Sequence, residues 1–440
     1  MKRYDIAILG AGPGGYVAAL YAASQGKSVA IIERDRLGGV CLNWGCIPTK
    51  ALIASSNVYN TIKRAGEFGI SAPGAAIDFK KIKERKDGIV DKLIKGIESL
   101  LKAKEVDLIR GTGKLAGRQS IAVGSERIDA DNIIIATGTR PLELPGFQFD
   151  KKRVLSSADM LDITELPQKL LIIGGGVNGC EYAYTYASLG VDVTVAEMMD
   201  RLLPTMDREL GKNMEMLLKK RGVKIMLKTA LDNPPAEYDM VAVCVGRKFN
   251  TEGIGLEEAG VNTDKGQILV DKRLRTSVPG IYAIGDAVGG YMLAHIASHE
   301  GIVACDNILG RDTEIDYGSV PMCIYTEPQI ASVGLTDVEA KKKGHSVKTS
   351  KASFRSLGKA HAMGEIEGFV KLVADSKSGT LLGAHIVGAE ATTLIAEAAV
   401  FVKRRLKVDD IIEQIHAHPT LSEAFMEAAF SIKGRPIHSI

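Results

Sequence analysis

A glycine-rich segment near the start of the chain occurs a second time further along, and this repeat constrains the fold more than any other feature. The two copies carry matching glycine triplets, Gly10, Gly12 and Gly15 in the first and Gly174, Gly176 and Gly179 in the second. Each triplet follows a run of β-branched residues and precedes an alanine-rich stretch with helical spacing, then a second apolar run. Each copy ends on an acid, Glu33 or Glu197. The repeat therefore predicts two strand–turn–helix–strand units in an α/β protein.

Both units have the sequence of a dinucleotide-binding turn. In such a turn the first glycine permits a sharp bend, the second lets a pyrophosphate approach the backbone, and the third allows close helix–strand packing. The helix N-terminus supplies free N–H groups, and the terminal acid accepts hydrogen bonds from a ribose hydroxyl. One such motif could be a glycine-rich turn alone, but two with matching acids predict two dinucleotides that exchange electrons. At the second site Glu197 would repel a 2′-phosphate, which favours NAD over NADP.

The composition is that of a folded protein with no electrostatic reason to bind nucleic acid or a membrane. Of the 440 residues, 56 are Lys or Arg and 53 are Asp or Glu, so the formal net charge is only +3. Glycines interrupt the apolar run near the N-terminus, which argues against a signal peptide, and no other stretch approaches the roughly 18 apolar residues that span a bilayer. Six Cys are too few for a disulfide scaffold and fit a reducing compartment. We expect a cytoplasmic protein.

Two further regions are predicted from periodicity. Residues 79–104 carry apolar side chains at a spacing near 3.6, which predicts a core-facing helix rather than a partner-binding one. From Val320 onward, two strand patterns at 369–374 and 381–387 precede an amphipathic helix at 392–403. This order predicts a separate α+β domain at the C-terminal end.

A pair of cysteines, Cys41 and Cys46, directly follows the first unit. They lie in a loop that is bounded by glycines and by Pro48. No histidine lies nearby and zinc sites use closer cysteine spacing, so we predict no metal site. The residues alone leave two alternatives open, a buried structural pair and a redox pair that cycles between dithiol and disulfide.

A thiol-exchange site also needs a base, because the thiolate and not the thiol is the nucleophile. His418 lies near the C-terminus, just before a predicted helix that Thr420 or Ser422 would cap. Glu423 in the first turn of that helix could orient the imidazole. A solvated histidine at a helix start is the alternative, and His416 competes for the role on sequence alone.

With the segments 38–50 and 416–423, which are its most specific motifs, the chain resembles the class I flavin disulfide reductases, or pyridine nucleotide-disulfide oxidoreductases, over nearly its whole length. Within that family it is most similar to members that oxidise dihydrolipoamide. The resemblance implies an α/β fold with two Rossmann-like domains, for FAD and NAD, and a C-terminal α+β dimerisation domain. The expected limits are 1–142 for the FAD domain with its redox disulfide, 143–266 for the NAD domain, 267–318 for a return segment of the FAD domain and 319–440 for the dimerisation domain.

The resemblance also implies catalytic roles. Cys41 corresponds to the interchange thiol that forms a mixed disulfide with substrate, and Cys46 to the thiol that faces the flavin. Lys50 corresponds to a lysine near the flavin that pairs with a glutamate, here Glu181.

His418 corresponds to a base that the partner subunit contributes, and Glu423 to the acid that orients it. The residues implied at the FAD site are Gly10, Gly12, Gly15, Glu33, Lys50, Gly113, Thr137, Gly138, Ala294 and, on the ribityl chain, Asp286. Those implied at the NAD site are Gly174, Gly176, Gly179, Glu197 and Gly246.

The implied activity is oxidation of a protein-bound dihydrolipoyl group, with electrons passing through a Cys41–Cys46 disulfide and FAD to NAD⁺. The implied partners are a second copy of the chain and a lipoyl-bearing acyltransferase or glycine-cleavage carrier. The chain departs from the family pattern at Val40, where Thr is frequent, and at 228–238, which is much shorter than the usual β-meander.

Two other functions remain open. An NADH-dependent reductase of another small disulfide or of a metal would use the same units. Two specific reductases are disfavoured. A glutathione-type enzyme would use NADPH, which Glu197 disfavours, and a mercuric reductase is expected to carry a cysteine pair that residues 435–440 lack. The third hypothesis is a non-catalytic flavoprotein that acts as an interaction partner, which would need neither the two cysteines nor the histidine and its acid.

Overall fold

The structure is a computed structural model that describes residues 3–438. The strands are β1 Arg3–Leu9, β2 Val29–Glu33, β3 Asp107–Arg110, β4 Gly113–Leu115, β5 Ser120–Val123, β6 Glu126–Ile135, β7 Thr139–Pro141, β8 Val154–Ser156, β9 Lys169–Ile173, β10 Asp192–Ala196, β11 Lys224–Met226, β12 Met240–Val243, β13 Arg247–Phe249, β14 Thr263–Asp264, β15 Gln267–Ile268, β16 Ile281–Ala283, β17 Met322–Ile324, β18 Gln329–Gly334, β19 Val347–Ser353, β20 Phe369–Asp375 and β21 Leu381–Gly388.

The helices are α1 Pro13–Ser24, α2 Gly39–Trp44, α3 Cys46–Lys63, α4 Phe79–Ala103, α5 Val177–Ser188, α6 Arg208–Lys220, α7 Leu256–Ala259, α8 Ala294–Ile308, α9 Asp337–Lys342, α10 Gly358–Met363, α11 Ala391–Lys403, α12 Val408–Glu413 and α13 Glu423–Ile432. Short 3₁₀ helices cover Ala65–Phe68, Asp159–Leu161, Gly285–Val288 and Phe354–Ser356. Within residues 3–438, no helix is both long and apolar enough to cross a membrane.

The first sheet holds the first glycine-rich unit. Its strands lie in the order β3-β2-β1-β6-β5-β4, and β16 pairs with β6. The strands around β1 are parallel and are buried against apolar side chains on both faces, as expected for a parallel sheet covered by helices. Because β16 follows the second unit in the chain, residues 281–283 return to the sheet of the first unit.

Residues 3–438 also form two five-stranded sheets and two short two-stranded ones, β7–β13 and β14–β15. The second has the order β11-β10-β9-β12-β8 with parallel pairs and holds the second glycine-rich unit. The third has the order β17-β18-β21-β20-β19 and is antiparallel. β7 and β13 pair with each other where the chain passes between the first two sheets. The architecture is the α/β type that the repeat predicts, and the proposed domain limits stay a prediction.

The two glycine-rich turns have the same geometry. Gly10 and Gly174 follow their strands with φ of +107° and +104°, which side chains rarely adopt. A Cβ on Gly15 would lie 1.9 Å from the carbonyl oxygen of Gly10, and a Cβ on Gly179 would lie 1.9 Å from that of Gly174. The third glycine is therefore required because each helix starts in direct contact with the end of its strand.

The long helix α4 is found at 79–103, close to its predicted limits. Val90, Ile97 and Leu101 are buried, whereas Leu93 is 43% and Leu100 is 52% exposed. The expectation that the whole apolar stripe faces the core is therefore wrong at these two positions. The stripe is wider than the helix face that packs against the protein.

A buried ammonium group joins the second unit to the C-terminal sheet. Lys371 on β20 places its Nζ 2.8 Å from Oδ2 of Asp207, 3.0 Å from Oε1 of Glu209 and 3.5 Å from Oδ1 of Asp337. Asp207 is the N-cap of α6 and accepts the backbone N–H of Glu209. The Lys371 and Asp207 side chains are 6% and 2% exposed, so each depends on the other for its charge balance.

We expect Lys371→Met to lower the free energy of unfolding by about 3 kcal/mol, because the substitution leaves the buried Asp207 carboxylate without its cation. Urea unfolding of the holoenzyme measures this change. Lys351→Met is the matched control, since Lys351 also bonds Glu209 but is 53% exposed, and its loss should cost less than about 1 kcal/mol. Equal costs for the two variants would contradict the assignment of a buried ionic junction.

Candidate active site

Both glycine-rich units open into one cavity of about 1090 Å³. The first unit lines it with the end of β1, and the second unit reaches it through Val177, Asn178 and the residues after β12. The sequence-predicted site residues that line the cavity are Gly10, Gly12, Glu33, Cys41, Cys46, Lys50, Gly113, Thr137, Gly138, Gly246, Asp286 and Ala294. Those that do not are Gly15, Gly174, Gly176, Gly179, Glu181, Glu197, His418 and Glu423. Trp44, the single tryptophan, also faces this space.

The acid of each unit is held by its own glycine-rich turn. Glu33 accepts the backbone N–H of Ala11 at 2.8 Å. Glu197 accepts the N–H of Gly175 at 2.6 Å through Oε2 and that of Met199 at 2.7 Å through Oε1. These bonds fix each carboxylate at the edge of its turn while leaving lone pairs for further donors. Glu197 therefore presents a negative charge beside the second turn, as the sequence predicts.

The cysteines lie where two helices meet. The predicted loop is wrong for the cysteines themselves, because Cys41 is on α2 and Cys46 is the first residue of α3, with only Gly45 between the two helices. The amide of Asn43 donates to the carbonyl oxygens of Leu37 and Gly39, each at 2.9 Å, and so fixes the loop that precedes them. This arrangement places both sulfurs on the cavity wall.

The two thiols are neighbours whose acidities are shifted in opposite directions. The hydrogen bond that Cys41 donates lowers the pKa of Cys46 to about 7, against the effect of burial, and the nearby charge of Lys50 lowers it further. The same hydrogen bond and burial raise the pKa of Cys41. In the dithiol form, Cys46 therefore carries the thiolate and Cys41 keeps its proton.

Lys50 connects the cysteine helix to the second unit. Its Nζ lies 2.9 Å from Oε2 of Glu181, whose side chain is 1% exposed, and 4.6 Å from the ring centre of Tyr325. The other carboxylate oxygen of Glu181 accepts the backbone N–H of Tyr325 at 3.0 Å. Three elements therefore meet beside Cys46: α3, α5 and the residues that follow β17. The buried carboxylate of Glu181 holds the Lys50 ammonium group at this place.

Asp286 lies in a second polar junction on the cavity wall. Thr139 donates its hydroxyl to Oδ2 of Asp286 at 2.6 Å, and Arg247 Nε donates to the Thr139 hydroxyl oxygen at 2.5 Å. Arg247 Nε lies 3.6 Å from Oδ2 of Asp286. Because Thr139 and Arg247 belong to the paired strands β7 and β13, the link between the first two sheets also orients Asp286.

His418 and Glu423 form a pair outside this cavity. His418 Nδ1 lies 2.9 Å from Oε1 of Glu423, and the His418 side chain is 75% exposed. Partial burial raises the pKa of Glu423. The hydrogen bonds from the Thr420 N–H and the His418 imidazole have the larger combined effect and hold this pKa below its usual range. The structure does not bring the pair to the cysteines of the same chain.

His416 has a different environment. Its Nε2 lies 3.1 Å from Oε1 of Glu397, its side chain is 2% exposed, and this bond raises its pKa. The predicted side-chain cap of the following helix is wrong. Ser422 stands at the N-cap of α13 without a capping bond, and Thr420 donates its hydroxyl to the carbonyl of Ala417 instead.

Several residues of the site were missed by the sequence reasoning. They are Asn43, Thr139, Arg247, Cys323 and Tyr325. Asn43 lies in α2 between the two cysteines, so its place in the cysteine segment was a usable signal. The other four are far from their partners in the chain, so no spacing indicated them.

Comparison with known proteins decides the family. Residues 4–301 match the family model described as pyridine nucleotide-disulphide oxidoreductase, and residues 320–429 match the dimerisation domain of that family. The chain belongs to the pyridine nucleotide-disulphide oxidoreductase family. A curated relative, dihydrolipoyl dehydrogenase from Bacillus subtilis (strain 168), is 43% identical and 99% of each chain is covered. The dihydrolipoyl dehydrogenase from Chlamydia pneumoniae is 41% identical over 99% of this chain and 98% of its own.

Two solved structures have the same fold. The crystal structure of LpdA from Mycobacterium tuberculosis superposes with a TM-score of 0.91 at 30% identity, covering 98% of this chain and 100% of that one. The HOCl-induced flavoprotein disulfide reductase RclA from Escherichia coli, solved as a Cu(II) complex, gives 0.87 at 26% identity over 98% and 99%. The predicted family, fold class and enzyme class are confirmed.

FAD and NAD(H) are the cofactors of this oxidoreductase, as the sequence predicts. The residues present fit both groups. The hydroxyl of Thr137 is buried on the cavity wall and has no hydrogen-bond partner within the part of the chain that the structure describes. A Cβ on Gly39 would lie 2.7 Å from the Cα of Gly12, so only glycine leaves this cradle open. At the second turn, Glu197 and the start of α5 have the arrangement that NAD requires.

Proposed function

We propose that the chain is a dihydrolipoyl dehydrogenase that oxidises dihydrolipoamide and reduces NAD⁺. The observation that carries this proposal is the neighbouring pair Cys41 and Cys46, with unequal acidity, in a cavity that the first dinucleotide turn and the start of α5 in the second unit both line. Full-length relatives that carry this name support it. A non-catalytic flavoprotein would have no need for such a pair.

The dithiol reaction begins from a Cys41–Cys46 disulfide. His418 of the partner subunit removes a proton from one substrate thiol, and the resulting thiolate attacks the sulfur of Cys41. A substrate–Cys41 disulfide forms and Cys46 leaves as a thiolate, which its lowered pKa favours. The second substrate thiol then gives up its proton, which passes to the departing Cys41 sulfur, and its sulfur attacks the bound substrate sulfur. The lipoyl disulfide is released, Cys41 regains a proton and Cys46 stays ionised.

Assignment of the base to the partner subunit rests on two facts. His418 and Glu423 do not line the cavity of their own chain, and the imidazole is largely exposed. The match to a dimerisation domain over 320–429 includes both residues. Glu423 holds Nδ1 of the imidazole, so that Nε2 is left to accept the substrate proton.

Lys50 keeps a positive charge next to the Cys46 thiolate, and Glu181 keeps the ammonium in place. When bound, the flavin and the nicotinamide would supply a two-electron relay, in which the electron pair released by the dithiol ends as a hydride on NAD⁺. Asp286 and Ala294 would bind the flavin, and Glu197 would bind the ribose of NAD. A lipoyl-bearing acyltransferase or a glycine-cleavage carrier would deliver the substrate. The low cysteine content supports a cytoplasmic location.

One assay tests the proposal. We expect the purified holoenzyme to reduce NAD⁺ with dihydrolipoamide and to do so with a kcat/KM at least about 10²-fold higher than with NADP⁺, because Glu197 repels a 2′-phosphate. NADPH oxidation with glutathione disulfide is run beside it as the comparison. Faster turnover of glutathione disulfide than of dihydrolipoamide would refute the substrate assignment.

A further inference from the structure

A buried carboxyl group lies behind the flavin side of the cavity. Glu300 on α8 is 2% exposed. Its Oε2 accepts the backbone N–H of Gly285 at 2.6 Å, and its Oε1 accepts the hydroxyl of Tyr317 at 2.5 Å. No salt bridge to Glu300 is formed within residues 3–438. The group is therefore an acid that is satisfied by two neutral donors and has no cation beside it.

The first of these donors belongs to the turn that carries Asp286. Gly285 directly precedes Asp286, and both residues line the cavity. Gly285 has a φ of +68°, and a Cβ there would lie 3.2 Å from the Cβ of Ala297. Thr139 and Arg247 hold Asp286 from one side, and Glu300 holds the backbone of its turn from the other. The orientation of Asp286 therefore depends on an acceptor at Glu300.

The charges that face Glu300 are few. The 3₁₀ helix contributes Asp286, whose negative charge opposes ionisation of Glu300, and the segment after α8 contributes the Tyr317 hydroxyl. α1 packs against α8 through Gly14 and Ala18, which carry no charge. Burial, more than these groups, raises the pKa of Glu300 to about 7.

On α8 itself, His295 bonds the carbonyl oxygen of Pro321, and His299 lines a separate cavity.

We propose that Glu300 is a positioning residue for the flavin site, which fixes the Gly285–Asp286 turn, and that this buried carboxyl, which has no cation beside it, is the group whose protonation changes the charge beside the flavin. The inference needs flavin in the cavity but is independent of the proposed dithiol substrate. Its failure can therefore be told apart from failure of the proposed function.

The substitution Glu300→Gln separates the two roles. Its amide oxygen can accept the N–H of Gly285, and its amide NH₂ can donate to the hydroxyl oxygen of Tyr317, because a hydroxyl both donates and accepts. The turn is kept and the titratable group is lost. Glu300→Ala removes the acceptor as well and leaves the N–H of Gly285 buried without a partner.

The experiment follows the flavin absorption and fluorescence of the oxidised holoenzyme between about pH 5 and 9, without substrate. In this form the cysteines are joined as a disulfide and do not titrate. We expect a spectral transition with a midpoint near 7 in the unmodified enzyme, with the acid form protonated and the alkaline form ionised. In Glu300→Gln the transition is lost while flavin stays bound. In Glu300→Ala we expect the Kd for FAD to rise about tenfold or more.

Two control variants identify the titrating group. His295→Gln should keep the midpoint, which excludes the histidine on the cavity wall. Glu327→Gln should also keep it, because Glu327 is a partly buried carboxyl beside the hydroxyl of Tyr184 and not beside the Gly285–Asp286 turn. An unchanged midpoint in Glu300→Gln overturns the proton-binding role, and an unchanged Kd in Glu300→Ala overturns the positioning role. If Glu300→Ala does not fold, Glu300→Gln tests both roles. Because glutamine can still accept the N–H of Gly285, loss of FAD binding in this variant would contradict the positioning role.

Discussion

Replacing Cys46 by serine is expected to abolish the long-wavelength charge-transfer absorption of the two-electron-reduced holoenzyme and to lower dihydrolipoamide turnover by about 10³-fold or more. A serine hydroxyl stays protonated at these pH values and cannot form a disulfide with Cys41, so both the thiolate and the oxidant of the substrate are lost. Anaerobic reduction followed by absorption spectroscopy, together with a steady-state assay, measures the two effects.

The same band provides a pH test in the unmodified enzyme. Because the pKa of Cys46 is lowered to about 7, the thiolate should predominate above that pH and be protonated below it. The band should therefore grow as the pH rises through about 7. Loss of the Lys50 charge by Lys50→Met should move this midpoint upward, since the ammonium favours the thiolate.

Cys305→Ser is the matched control for the first variant. Cys305 is buried in α8, and its Sγ lies 3.5 Å from the carbonyl oxygen of Ala18, away from the cavity. The charge-transfer absorption and the dihydrolipoamide turnover should both be retained in Cys305→Ser. A band that persists in Cys46→Ser would remove Cys46 from its assigned place beside the flavin and give that place to Cys41.

Replacing His418 by glutamine is expected to slow dihydrolipoamide turnover by about 10²-fold or more, the usual scale for loss of a general base. Glutamine can still bond Glu423 but cannot take up the substrate proton. Steady-state kinetics with dihydrolipoamide and NAD⁺ measure the loss. Near-normal turnover would remove His418 from the mechanism and make His416 the candidate.

His416→Gln is the control for this experiment. His416 is engaged with Glu397 and its side chain is hardly exposed, so its replacement should change turnover far less than that of His418. A change confined to stability is the expected result.

A heterodimer tests whether the base acts across the subunit interface. One subunit carries Cys46→Ser with an intact His418, and the other carries His418→Gln with intact cysteines. If the base comes from the partner subunit, one of the two sites is complete, and a heterodimer isolated through two different tags should show about half of the normal turnover. If the base acted on cysteines of its own chain, neither site would be complete and activity would stay at the level of the single variants.

Much of the fold was predictable because its signals are local. A φ above +100° at Gly10 and the contact between Gly15 and the Gly10 carbonyl are properties of a few consecutive residues. The acids Glu33 and Glu197 follow at a set distance because a strand and a helix have fixed lengths. The period of α4 likewise predicted its limits, although not that Leu93 and Leu100 remain at the surface.

The site was predictable only in part. The cysteine and histidine segments carry recognisable motifs, which together predicted a thiol-exchange site with a base. It gave no basis, apart from resemblance, for pairing Lys50 with Glu181, and none at all for the hydrogen bonds that join Thr139 and Arg247 to Asp286 or Glu300 to Gly285. Nor did the residues alone choose between His416 and His418, whereas their partners and exposure separate them.

The sequence by itself therefore determined two dinucleotide turns, a cysteine pair beside the first and an acid at the end of each unit. Only the tertiary structure decided which of the two cysteines is ionised, which carboxyls are buried without a cation and which histidine is free to meet a second chain. The physical reason is that backbone geometry depends on neighbouring residues, whereas acidity and hydrogen bonding depend on which distant segments pack together and how much water they exclude.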